Sequence, residues 1–572
     1  MRREICTLGL VSLLVGCGGD DSNEKAAPES GSFVSNQRIV YADGLHNENT
    51  EMIRLGERIL LAFRGGEEGQ TGSARARIKI YESEDEGRNF APISEVAMPD
   101  DPADPSDDRD IRDPKFVSMG DKLYLYCISR VPGFKYRDLF GEAWTVRAES
   151  ADGGRTWTTP VKTFEDHWLF GIEIYWGFWR FTQRSFTALG LLPMHTLFAT
   201  AYDDGDVDAG LFSSEDGVNW RKHATILHGY NDVPSEAELR FFGENKEVAV
   251  SLVRLDNEGV LHDGQTAICT SREPFFEWEC GRRIEQRIDG PSWVVVEDGG
   301  RIRNFVFARK HLPCTFKRTA VYELRGDLTD PGAEIQVCEI MELESSGDTA
   351  YTSLVPLSGT RWLLAWYSSP VDQELAWLEG QFSPSDIWLA DVDFRYAPSD
   401  CTPPPPKRPC EPPPLPPGNE VFDVSGSHLL SLAPVIWPSE PVYFTATLSL
   451  AGSSLDFTLQ PLDNASREPV GTASTLEGVP VAADGGFTLD FGTLEVPAAA
   501  YPVIDETIPL TLKEFVLTGK TASADGFCGY ASGYVEILPT PSDIIPLEGS
   551  TFGAVRITGP TLPEPISGCD PD

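Results

Sequence analysis

The chain has 572 residues and carries 88 acidic against 47 basic side chains, a formal net charge of −41. Such a surface repels phosphate, which excludes nucleic acid as a partner, and an anionic ligand would need a locally basic pocket. The length exceeds what one hydrophobic core supports and predicts two or three domains.

Arg2 and Arg3 precede a short, mostly apolar run at residues 7–16, and Leu14-Val15-Gly16-Cys17 follows. The run is too short to span a bilayer and reads as a cleaved signal peptide, residues 1–16. The tetrapeptide is similar to the bacterial lipobox. It implies an exported lipoprotein with Cys17 acylated, a flexible tether at 17–34, and membrane attachment through the N-terminal lipid only. The expected location is the bacterial cell envelope, at the periplasmic or surface face of the outer membrane. Of the eleven cysteines, the close-spaced candidates for disulfides are Cys269/Cys280, Cys314/Cys338, Cys401/Cys410 and Cys528/Cys569, leaving Cys127 over. No CxxC and no clustered histidines are present, so neither a metal nor another cofactor is expected. His46 reads as a pocket or core histidine, and the acidic, proline-interrupted run at 100–110 as a solvated loop.

A repeat dominates the first 400 residues. Ser-x-acid-x-Gly-x-x-aromatic ends at Phe90 and Trp157. A third copy, at 213–220, ends at Trp220 and has Glu215 at the acidic place; a degenerate copy without its glycine ends at Trp278. The spacing, about 60 residues, suits a four-stranded propeller blade with generous loops. Ser and Asp close a tight turn, Gly supplies positive φ, and the aromatic fills the gap between blades. Six β-rich runs, at 58–63, 122–128, 197–202, 247–253, 303–308 and 361–367, predict six blades with these runs facing a central pocket. The last blade, at 362–394, is expected to be sealed by the N-terminal strand around 37–41.

The composition changes after residue 397. CTPPPPKRPCEPPPLPPG, within a linker at 398–418, predicts a semi-rigid polyproline spacer. Residues 419–572 alternate like a β-sandwich or barrel. Both a glycan- or surface-binding accessory module and a purely structural domain fit that segment. The fold class is therefore all-β, with a propeller over 35–397.

The repeats resemble the Asp boxes (BNR repeats) of sialidases. So do the segments around His46–Met52, Asp110–Lys115, Trp179–Thr182, Ser235–Phe241, Leu252–Arg254, Ala308–Arg309, Gly347–Tyr351 and Trp366–Ser369. This resemblance to a bacterial sialidase-like family covers about residues 37–394. It implies boxes on the rim away from the active site, a glycan substrate, and a set of site residues. Tyr351 corresponds to a tyrosine nucleophile, Glu236 to the glutamate that activates it, and Arg254 and Arg309 to the second and third carboxylate-binding arginines. A phenol nucleophile is neutral when free, so it does not repel an anionic sugar, and it needs a base close by.

Two departures stand out. Glu51 occupies the place of the first arginine, and residues 65–77 offer only Glu67 and Glu68 where the family carries its aspartate. Replacement cations are Arg64, Arg112 or Arg180, and replacement acids Glu51 or Asp113. The expected activity is exo-glycosidase cleavage of a terminal sugar, anionic in the family's type case. The alternative is a non-catalytic glycan-binding propeller.

Overall fold

The computed structural model describes residues 31–66, 75–99, 109–130, 143–164, 167–169, 172–174, 176–187, 193–203, 208–229, 232–256, 264–298, 300–501, 510–536 and 544–569. The signal peptide, Cys17, Glu67 and Glu68, and most of the acidic run lie outside them. Among the described residues no helix is long and apolar enough to cross a membrane.

Six four-stranded antiparallel sheets, here blades I to VI, form a ring. Their inner strands are His46–Leu55, Asp110–Met119, Trp176–Thr187, Pro234–Phe242, Asp289–Asp298 and Thr349–Ser358, and inner strands of neighbouring blades pack against one another. The six apolar runs expected to line the centre are instead the second strands: Arg58–Gly66, Lys122–Arg130, Pro193–Asp203, Val248–Asp256, Arg301–His311 and Arg361–Ser368. A strand covered on both faces by adjoining blades is apolar throughout, whereas the innermost strand meets a polar channel. Blade VI is closed by Val34–Tyr41 pairing with Asp386–Asp393, so the first strand of the ring locks the last blade.

Apolar clusters fill the seams between blades. Leu60, Ala62, Ile78 and Ile80 of blade I meet Ile111, Leu123, Leu125 and Val146 of blade II. The serine–aspartate turns join third to fourth strands. Ser83 Oγ donates to Asp85 and accepts from the Gly87 N–H at 2.9 Å, and the Asn89 side chain and N–H hold the Asp85 carboxyl down at about 2. Gly87 has φ +83°, and a Cβ there would meet Leu363 of blade VI at 2.3 Å. In blade III the working acid is Asp216, not Glu215: Ser214 and the N–H groups of Val218 and Asn219 bond to it, because this turn is one residue shorter. Phe90, Trp157, Trp220 and Trp278 all precede the fourth strand of their blades. Trp157 packs on Phe116 and reaches Ser94 Oγ of blade I.

Residues 426–556 form one nine-stranded, nearly closed barrel-like sheet around an interior of Leu430, Phe444, Phe457, Leu489, Phe515, Phe527 and Phe552. The linker is tied down rather than free. The disulfides are Cys269–Cys280, Cys314–Cys410, Cys338–Cys401 and Cys528–Cys569, with Cys127 unpaired and buried. Two of the expected pairings are therefore exchanged. Cys314 precedes the third strand of blade V and Cys338 lies within its fourth, so they sit at different heights of one hairpin and the passing linker pairs with each. The barrel meets the propeller where Phe382 stacks on Trp437 at 4.7 Å and Leu378 enters the barrel's apolar cluster.

Candidate active site

Inner strands all start at one face of the ring, and each loses ladder register soon after it starts. The breaks fall between Glu48 and Glu51, Arg112 and Lys115, Phe178 and Arg180, Ser235 and Glu238, Asp289 and Ser292, and Ala350 and Ser353. In five blades the residue at the bulge is left-handed: Asn49 (φ 58°), Asp113 (54°), Glu236 (32°), Gly290 (55°) and Tyr351 (42°). Blade III has one residue fewer, and Trp179 takes the place. Bulges re-aim side chains next to active sites, and left-handed φ at a non-glycine residue persists only where surrounding structure enforces it. Here the device is repeated around the channel and presents an acid, a second acid and a tyrosine at one level.

The second strands add a parallel rule. Arg64, Arg254 and Arg309 pair with Glu48, Ser235 and Asp289, the residues just before the bulge in blades I, IV and V. Tyr367 holds the same place in blade VI, opposite Ala350. The third-to-fourth turns lie at the other face, since successive strands alternate in direction.

Tyr351 and Glu236 meet although blade V stands between them. The Tyr351 hydroxyl donates to Glu236 Oε1 at 2.7 Å, and the Gly290 N–H donates to Oε2 at 2.7 Å. Blade V contributes a glycine because a Cβ on residue 290 would lie 2.1 Å from Tyr351 Cδ1. Arg254 bonds Glu236 through Nη1 and Asp256 through Nη2 at 2.6 Å, with Asp289 at 3.3 Å from Nε. The Arg309 guanidinium lies 4.8 Å from the Tyr351 ring centre and donates to Asp348 at 2.7 Å and Tyr367 at 2.8 Å. Burial, then the Glu236 charge, pushes the Tyr351 phenol well above its ordinary value, so it is protonated when at rest. Burial also pushes Glu236 up, with Arg254 opposing. Asp289 is held well below the carboxylate range: burial opposes this, but Arg254 and Arg287 prevail.

Asp113 is 6% exposed, and no described residue hydrogen-bonds its carboxylate. Arg112 and Arg64 both bond Asp110, and Arg64 Nη1 is also 2.9 Å from Glu48. Glu51 and Arg180 do not join this group. They come after the bulge, one layer deeper, where Arg180 bonds Glu51 and Glu238 at 3.0 Å each, Ser292 at 2.9 Å and the Thr352 carbonyl at 3.0 Å. Trp179 reaches across the axis to Tyr351, ring centres 5.4 Å apart, and divides the two layers. The deeper layer lines a cavity of about 720 Å³ at the opposite mouth, with Lys115, Arg240, Trp293 and Trp362. A two-residue offset in the strand thus separates Glu51 from the site. Asn49, Asp289, Gly290, Asp348 and Tyr367 escaped the reading of the sequence. Their one visible signal is the dipeptide that marks two of the bulges, Asp113-Pro114 and Gly290-Pro291.

No family model matches the chain, and no curated protein matches it. Among solved structures it is similar to the intramolecular trans-sialidase from Ruminococcus gnavus, at 10% identity over 63% of this chain and 97% of that one, TM-score 0.45. It is also similar to Trypanosoma rangeli sialidase, at 12% identity over 90% of this chain and 89% of that one, TM-score 0.43. A third is the Penicillium chrysogenum α-L-arabinanase, at 13% identity over 64% and 99%, TM-score 0.41. The six-bladed ring itself is read from the sheet topology.

Proposed function

We propose that the chain is a retaining exo-glycosidase of sialidase type, anchored to the cell envelope through Cys17. The observation that carries the activity is the 2.7 Å hydrogen bond from Tyr351 to Glu236, between two bulge residues of different blades. Tyr351 Oη attacks the anomeric carbon as its proton passes to Glu236. Asp113 protonates the departing oxygen, then removes a proton from the water that attacks the anomeric carbon, and Glu236 returns its proton to the departing Tyr351 oxygen as the aryl-glycosyl bond breaks.

The charge balance favours an uncharged terminal sugar. Arg254 is matched by Glu236 and Asp256, Arg309 by Asp348, Arg64 by Glu48 and Asp110, and Arg112 by Asp110. Burial, then Arg287, pushes the Lys317 ammonium behind them well below the ordinary lysine value. A sugar carboxylate would have to displace one of these internal partners. The same pairing gives the second reading, a glycan-binding propeller without turnover, its observation: Arg254 on Glu236 makes that carboxylate a weaker base.

The test is a panel of aryl glycosides, uncharged and sialylated, offered to the wild type, Tyr351→Phe and Glu236→Gln. The expected result is hydrolysis of an uncharged glycoside, lost in Tyr351→Phe and reduced about 10²–10⁴-fold in Glu236→Gln. Turnover that survives Tyr351→Phe rejects the tyrosine nucleophile, and binding without turnover on any member selects the second reading. For the anchor, Cys17→Ser is expected to release the protein from the membrane fraction.

A further inference from the structure

Beside the tyrosine, at the seam where the ring closes, three side chains point polar atoms at one another. His46 and Glu48 come from the start of the blade I inner strand, and Asp348 from the turn before that of blade VI. They are 2%, 0% and 0% exposed, and their nearest donor atoms all lie within 4.8 Å of one another. His46 Nε2, Glu48 Oε2 and Asp348 Oδ2 have no hydrogen-bond partner.

The histidine tautomer sharpens the problem. His46 Nδ1 lies 2.8 Å from the Ser383 carbonyl oxygen. A carbonyl only accepts, so Nδ1 carries the hydrogen, and a neutral ring turns its Nε2 lone pair inward. That lone pair faces Asp348 Oδ2 at 3.4 Å. An acceptor facing two carboxylates in a buried place is costly unless a positive charge sits among them. The arginines do not supply it. Arg309 binds Asp348 through Oδ1 at 2.7 Å, and Arg64 is 2.9 Å from Glu48 Oε1, which leaves one oxygen of each acid turned to the histidine. A ring nitrogen that donates to a backbone carbonyl while the other faces carboxylates is also the usual outer support of a metal-bound histidine.

We propose that His46 Nε2, Glu48 and Asp348 form a site for a divalent transition-metal cation, of which zinc is the best fit. One imidazole with two carboxylates suits zinc or manganese better than calcium, which takes six to eight oxygens. The ion would clamp blade I to blade VI, where Asn47 N–H already bonds Ser385 Oγ at 2.9 Å. It would also fix Asp348, and through it the Arg309 guanidinium that lies over Tyr351. This proposal stands apart from the glycosidase reading, since it concerns binding alone.

The experiment measures zinc and manganese content of the full purified chain after chelation and reloading with ZnCl₂ or MnCl₂, and the shift in Tm that each ion produces. The expected result is one bound equivalent and a Tm that rises with ion concentration. Affinity should fall more than about tenfold in both His46→Gln and Glu48→Gln, with Asp348→Asn as the third variant should either fail to fold. Absence of a stoichiometric ion after reloading, or equal affinity in the wild type and the folded variants, overturns the site.

Discussion

The two layers of the channel are built from the same six strands, yet they differ in kind. At the upper level Asp113, Glu236 and Tyr351 stand at bulges with left-handed backbone, and Glu236 and Tyr351 share a proton across an intervening glycine. Beyond the bulge, Glu51, Lys115, Arg180, Glu238, Ser292 and Ser353 return to the regular ladder, and Arg180 ties its own blade to four others. Both layers are buried and charged. What separates a site from a structural ion-pair network is therefore the strained backbone that aims the upper residues, and the fact that no described residue hydrogen-bonds the Asp113 carboxylate. Charged residues near a propeller axis do not by themselves identify chemistry.

The largest expected effect follows from the glycine that lets the upper layer assemble. Gly290→Ala adds a methyl where Tyr351 now lies, at a φ of +55° that alanine resists. Displacing the tyrosine by about 1 Å is expected to reduce kcat/KM by about 10²-fold or more, with the fold retained by circular dichroism. Glu51→Gln, in the deeper layer, should leave kcat/KM nearly unchanged. Equal losses in the two variants would erase the distinction between the layers.

Next in size is Arg180→Met. It strands Glu51 and leaves Glu238, 2% exposed, with Arg240 alone, and breaking a buried pair by removing one partner costs about 3–5 kcal/mol. Denaturant unfolding should show that loss while the folded fraction still hydrolyses substrate. A variant of full stability that has lost turnover would move Arg180 into the site, as the sequence alone had suggested.

That suggestion shows where sequence reasoning stopped. The blade count was legible because the second strands are apolar throughout and the serine–aspartate turns recur. The inner strands were not, since HNENTEMI, DIRDPKFV and PSEAELRF break the alternation that marks a strand wherever a bulge intervenes. One inserted residue reverses which side chain faces the channel, and Glu51, read into the site because it holds the place of the family's first arginine, falls beyond the bulge that Asn49 occupies. Tyr351, Glu236, Arg254 and Arg309 were found through the family resemblance. Their neighbours Asp289, Asp348 and Tyr367 are brought in only by cross-strand pairing. Cys269–Cys280 and Cys528–Cys569 pair as expected, but the other two pairings are exchanged for a related reason: proximity in sequence ranked Cys314 with Cys338, whereas the fold lays the linker along blade V.

The linker supplies a comparison with the ring it is sewn to. Cys401→Ser with Cys338→Ser removes one staple and should destabilise the attachment by about 2–4 kcal/mol. Limited proteolysis should then cut within 402–409, with the barrel released only on reduction because Cys410 stays bonded to Cys314, while kcat/KM stays within about twofold, because the staples lie at the outer part of blade V. If turnover collapses with the staple, the barrel supports the site after all, and the contact between Phe382 and Trp437 becomes the next place to cut.

The smallest effect belongs to the face opposite the tyrosine. Hydrogen bonds from Asn89 hold Asp85 at about 2, and in blade III burial opposes, but the Asn219 and Val218 N–H groups still hold Asp216 at about 2. Unfolded aspartate titrates near about 3.9. A folded value below the unfolded one means that the unfolded chain binds protons first as pH falls. The stabilisation is therefore fully present above about pH 4 and is lost between about pH 4 and 2. Asp85→Asn keeps the shape of the turn but has no charge to lose. Its deficit against the wild type in denaturant unfolding should be constant from pH 7 to about 5 and shrink as pH drops toward 2. Hydrolysis at neutral pH should not change, since this turn lies at the far end of its blade from Tyr351. A deficit that stays the same at every pH would show that the Asp85 side chain acts through geometry alone, and the turns would then differ from the upper layer in having no electrostatic part.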